Sequence, residues 1–132
     1  MPTTEAAHVP DDASPDLATL AVTIGYEFAD LQLLRQAMAH RSWCAETPGE
    51  RSNERLEFLG DAVLGWVIAD IAFHQFDALA EGLLTDLRKS VVNASALAEV
   101  AETIGIGPHL LLGKGEASAG GAEKSSILSD AF

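Results

Sequence analysis

A single cysteine, Cys44, gives the chain no partner for an internal disulfide, and a small buried or half-exposed thiol is the plain reading of it. No apolar run approaches the ~20 residues that a membrane-spanning helix needs. The N-terminus lacks the basic start and apolar core of a signal peptide. These absences suit a cytoplasmic protein with no membrane association. Basic residues are the shortage with most consequence. Eight Lys and Arg stand against twenty Asp and Glu, for a net charge of −12. Phosphate backbones are gripped by Lys and Arg, so this segment alone should hold nucleic acid weakly. Aromatics are also few, at 6%, whereas Ala and Leu dominate a 48% apolar fraction. That composition favours helices, and 132 residues suffice for one domain with a buried core.

Part of the acidic excess sits near the start, in Glu5, Asp11, Asp12 and Asp16. Residues 1–15 are rich in Pro, Ala and Asp with no apolar period, which reads as a disordered acidic tail before a folded unit over 16–132. The remainder reads as all-α. Asp16 caps a first helix that ends at Gly25. Asp30 caps a second, with Leu31, Leu34, Ala37 and Met38 at helical spacing, closed by His40–Arg41–Ser42. Residues 46–52 form a loop, and Ser52 or Asn53 caps a long helix reaching about Phe76. Helices over 81–92 (Leu83, Leu84, Leu87 and Val91 inward) and 94–104 follow, the second stopped by Gly105. Residues 107–121 hold five glycines. They lack the P-loop lysine–serine pair and the GxGxxG spacing, so they read as a shaped loop. Ser125 or Ser126 caps a last helix from about Ile127.

The long helix carries the unusual feature. On a helical wheel Glu54, Glu57 and Asp61 fall within about 60° of one another. From Leu56 to Ala69 the only charged side chains are Glu57 and Asp61, and apolar residues cover nearly every other direction. A helix that is apolar all round is expected to be buried. Carboxylates on a buried helix are costly unless paired, protonated or bound to a cation. Two plainer readings compete: a solvated acidic strip, or an ion-pair network in which Arg51, Arg55 and Arg88 neutralise the acids. Spacing alone does not choose among the three, since acidic pairs three or four apart are common on ordinary helices.

The string ERLEFLGDAVL closely resembles the signature of the ribonuclease III family, the metal-dependent endonucleases that cut double-stranded RNA. Four further blocks agree in order: AHRS at 39–42, EGLLTDLRKSVVN at 81–93, LLLGKGE at 110–116 and GGAEKSSILSDAF at 120–132. The resemblance implies the helical endonuclease fold and a homodimer that sets one site against each strand of an RNA duplex. It implies staggered ends with 5′-phosphates and 3′-hydroxyls, and a role in processing ribosomal precursors and structured messages. By the same resemblance Glu57 and Asp130 hold Mg²⁺, for which Mn²⁺ can substitute, and no small-molecule cofactor is needed. Oxygen-only donors with no Cys/His cluster suit that ion. Asp61 acts beside it, holding the attacking water or one on the metal.

Glu54 and Glu81 become supporting acids, although Glu81 also reads as a helix-start carboxylate favoured by the dipole. Phe58 matches the residue that plugs a socket on the partner subunit; the rival reading is an ordinary core Phe. Arg51, Lys114 and Lys124 are the candidate RNA contacts. In the family a Glu follows three residues after the matching Asp130, a position beyond Phe132 here. The resemblance therefore implies an incomplete last core helix, no double-stranded-RNA-binding domain, and little activity in this stretch by itself. Two other classes remain: a non-cutting RNA-binding or ribosome-associated relative, and a helical protein with a structural cation.

Overall fold

Acidic caps start the first two helices. The Asp16 carboxylate accepts from the Thr19 N–H at 3.1 Å, and that of Asp30 from the Gln32 N–H at 2.9 Å. Each supplies an acceptor that the first turn of a helix otherwise lacks. The computed structural model describes residues 16–132, and the tail expected over 1–15 lies outside them. The helices in order are α1 (Leu17–Ile24), α2 (Leu31–Ala37), α3 (Arg41–Glu46), α4 (Glu54–Gln75), α5 (Glu81–Val91), α6 (Ala94–Ile104), α7 (Lys114–Ser118) and α8 (Ser125–Ala131). Single 3₁₀ turns lie at Gly107–His109 and Gly121–Glu123. Among the described residues there is no strand, only one isolated parallel bridge between Ala39 and Leu111. The all-α class expected from composition is the one observed.

The core is built by α1, α2, α6 and α8. Leu20, Leu34, Met38, Ala98, Ala101, Ile127, Leu128 and Ala131 meet there, joined by Ile106 and Leu110 from the chain between α6 and α7. Helix α6 lies along α8 as the most extensive helix pair. Gly25 and Gly105 end α1 and α6 in the left-handed conformation, at φ of 77° and 83°. That geometry favours glycine and returns the next N–H groups to the helix carbonyls.

Three boundaries differ from the sequence reading. His40–Arg41–Ser42 does not close α2, which stops at Ala37; His40 instead caps the separate helix α3, its Nδ1 accepting from the Ser42 N–H at 3.2 Å. The glycine-rich stretch is not one loop but a 3₁₀ turn, α7 and a second 3₁₀ turn. Helix α8 begins at Ser125 with Lys124 in the cap position, so neither serine caps it by a side-chain bond.

The largest difference concerns α4. Its 22 residues were expected to be buried, yet Ala72 alone is, while Phe58, Leu59, Val63, Trp66, Val67, Ile71 and Phe73 stand exposed. The physical reason is one of neighbours. Within the chain α4 packs on α5 and α8, which cover one side of it. Helix α5 likewise has no buried residue, and Leu83 and Val91 face outward rather than in.

Candidate active site

The cleft of interest lies where the first two turns of α4 pass the end of α8 and the junction of α5 with α6. The start of α4 is tied to the chain leaving α2. Asn53 donates from its backbone N–H to the Ala39 carbonyl at 2.9 Å and from its side-chain amide to the Ala37 carbonyl at 3.0 Å. One turn on, the Glu57 N–H donates to the Asn53 carbonyl at 2.8 Å. On α8, Ile127, Leu128 and Ala131 point into the core. Helical periodicity then leaves Asp130 on the outer face, exposed.

These elements bring Glu57, Asp61 and Asp130 to one open cleft of about 670 Å³, with Phe58, Ser129 and the α5–α6 junction residues Val92, Asn93, Ala94 and Leu97 completing its walls. Partial burial pushes the Glu57 carboxyl above the ordinary carboxylate range, and the charges of Asp130, Asp61 and Glu54 push it further the same way. The arginine network weighed from the sequence does not form. The ion pairs among the described residues are Arg35–Glu50, His74–Asp70 and Lys124–Glu116, and none involves these four acids.

Four carboxylates without a paired cation, offering oxygen donors alone, suit a hard divalent ion. Glu57, Asp61 and Asp130 share the cleft without closing on one point, with Glu54 one turn before them on α4. No three ligating side chains among the described residues are gathered tightly enough to enclose an ion.

The other sequence-chosen residues are placed as follows. Glu54 sits at the start of α4, where the Ser52 hydroxyl donates to its carboxylate at 2.8 Å. Glu81 is in the first turn of α5, accepts from the Thr85 hydroxyl at 3.0 Å, and takes no part in the cleft wall. Phe58 is on the cleft rim and 83% exposed, so it is not a core residue of this chain. Arg51 is exposed just before α4, and Lys114 is the first residue of α7. Lys124 pairs with Glu116 and holds that carboxyl below its usual range. The glycine-rich stretch supplies none of the cleft wall; it packs against α3, where the Gly113 N–H donates to the Ser42 hydroxyl at 2.9 Å. Cys44 has no chemistry at the site, and burial pushes its thiol up, toward the protonated, unreactive form.

Asn93 was assigned no role from the sequence. It caps α6, accepting from the Ala96 N–H at 2.9 Å, and its amide donates back to the Lys89 and Ser90 carbonyls at 3.0 and 3.1 Å. It thereby fixes the corner that faces Glu57. Its position before an Ala-rich amphipathic run was the available signal.

A sequence model of the ribonuclease-III-like family matches residues 30–132. Ribonuclease 3 of Mycolicibacterium paratuberculosis is 54% identical over 110 residues, covering 81% of this chain and 46% of that protein. Ribonuclease 3 of Geobacter metallireducens is 46% identical over 116 residues, covering 86% and 47%. The chain thus spans about half the length of the curated relatives it matches. A solved nuclease domain of ribonuclease III from Campylobacter jejuni, described for structural flexibility in a region involved in dimer formation, superposes with a TM-score of 0.81 at 42% identity. That superposition covers 88% of this chain and 78% of the other. Family match, relatives and fold agree: the chain belongs to the ribonuclease III family.

Proposed function

We propose that this chain forms the nuclease unit of a divalent-metal-dependent endoribonuclease that cuts double-stranded RNA, leaving 5′-phosphates and 3′-hydroxyls on staggered ends. The observation that carries this reading is the set of uncompensated carboxylates that α4 and α8 present to one cleft. Glu57 and Asp130 are the residues to hold Mg²⁺ (or Mn²⁺), with Glu54 as a supporting acid. Asp61 orients the attacking water and accepts its proton. When bound, the ion supplies Lewis-acid stabilisation of the phosphate and makes a water easier to deprotonate. Duplex selection follows from A-form shape and 2′-hydroxyls across the shallow groove, not from base reading. With a net charge of −12, this unit leaves much of the RNA affinity to be supplied from outside it.

The proposed working state is a homodimer in the cytoplasm acting on ribosomal precursors and structured messages. The exposed apolar side of α4, with Phe58 at its start, supports the dimer. The test uses the product of the complete reading frame that contains these residues, incubated with long duplex RNA in Mg²⁺ or in a chelator. Staggered products that require the metal are expected, and Asp61→Asn should lower the rate by about 10²–10⁴-fold. Metal-independent cutting, or none at all, would overturn the proposal.

A further inference from the structure

Asn53 is the buried polar side chain of the described residues, only 5% exposed, and it occupies the cap position of α4 without capping it. An Asn at a helix start ordinarily accepts an N–H from the first turn. Here that acceptor is the Ser52 hydroxyl, 3.4 Å from the Glu54 nitrogen. The Asn53 amide turns away from the helix and donates to the Ala37 carbonyl at 3.0 Å, beside its own backbone bond to Ala39. Gln36 adds a parallel bond to the Ser52 carbonyl at 3.2 Å.

The strip receiving these bonds is itself fixed. Leu34 and Met38 lie in the core, and the Met38 carbonyl accepts from the Leu111 N–H at 2.9 Å. An apolar plug could fill the space that Asn53 takes, but it would not fix rotation. The directed bond of the amide does, beside a backbone bond that any residue but Pro could make, and the Glu57 N–H is bonded to that same residue.

We propose that Asn53 is a positioning residue, whose amide sets the depth and rotation of the first turn of α4 and so holds Glu57 and Asp61 opposite Asp130. The inference rests on reading the cleft as the metal-holding site. Its test is Mn²⁺ binding to the RNA-free product of the complete reading frame, followed by water-proton relaxation, with thermal unfolding measured alongside. Asn53→Ala should weaken Mn²⁺ about tenfold, the low end for groups that orient metal ligands. Gln36→Ala should weaken it less, and Leu20→Val, which loosens the core away from this clamp, should not weaken it. In cleavage assays run well below the variant's unfolding midpoint, where Asn53→Ala is fully folded, its activity should recover at excess Mg²⁺.

If the wild type binds Mn²⁺ and folded Asn53→Ala binds as tightly, the positioning role is overturned while the cleft keeps its reading. If Asn53→Ala does not fold, Asn53→Leu, which fills the same space without the amide donor, decides, and wild-type affinity there overturns the role. A wild type that takes up no Mn²⁺ removes the reading of the cleft itself, and this inference with it.

Discussion

Glu57 is the carboxylate that burial and neighbouring like charge hold above the ordinary range. A raised value in the folded state means the native protein binds that proton more tightly than the unfolded chain does. Stability is therefore lost as pH rises from the usual glutamate value through the raised one. Glu57→Gln removes a charge the fold disfavours, so in chelator at neutral pH it should raise the thermal midpoint, with the difference vanishing in acid. Calorimetry across that pH range checks the sign. Adding Mg²⁺ should stabilise the wild type and leave the Gln variant nearly unmoved, because an ion bound only by the native state adds stability. Glu57 and Asp61 stand out by a four-residue spacing on an apolar helix, but only the resemblance sets them apart from a solvated strip. Asp130 was legible only through resemblance, since one Asp on a short helix has no pattern of its own. The Glu116–Lys124 pair was not legible, because it closes across a turn whose shape the glycines conceal.

At the scale of elements, long periodic helices read well and short ones did not. Residues 94–104 carry an amphipathic run and a terminal Gly, and both signals agree with the helix observed. Helix α3 was missed because His40 is an uncommon cap and α3 has only six residues. Helix α7 was missed because glycine and serine suggest a loop, whereas Glu46 supplies it from outside, accepting from the Lys114 N–H at 3.0 Å. The packing there is close. A Cβ added at Gly113 would meet the Ser42 carbonyl oxygen at 2.7 Å and its carbon at 2.9 Å. Both atoms are backbone and cannot swing aside. Gly113→Ala should therefore cost about 1–3 kcal/mol of stability, as overpacking does, read from urea unfolding. An unchanged midpoint would show that α3 and the 111–114 segment slide apart freely.

For the whole molecule, the apolar circumference of α4 reads as a buried helix, whereas within the described residues most of it stands exposed. Trp66, 69% exposed, and Phe58 lie on the uncovered side. Truncating a side chain already in water removes little from the fold of one copy. Phe58→Ala should thus shift sedimentation toward the monomer while leaving the unfolding midpoint of the monomeric form nearly unchanged. A dimer indifferent to the change would count against Phe58 as its anchor. A midpoint that falls equally at every protein concentration would place its contribution inside the monomer.

The short strip after α2 has a consequence for how the chain is made. The Ala37 and Ala39 carbonyls find their donor in Asn53, soon after they leave the ribosome, but the Met38 carbonyl waits for Leu111. Leu111 is made 58 residues after Asn53. Until then the strip is held from one side only, so a nascent chain stalled before Leu111 should keep the start of α4 frayed, and its acids adrift, however complete its earlier helices are.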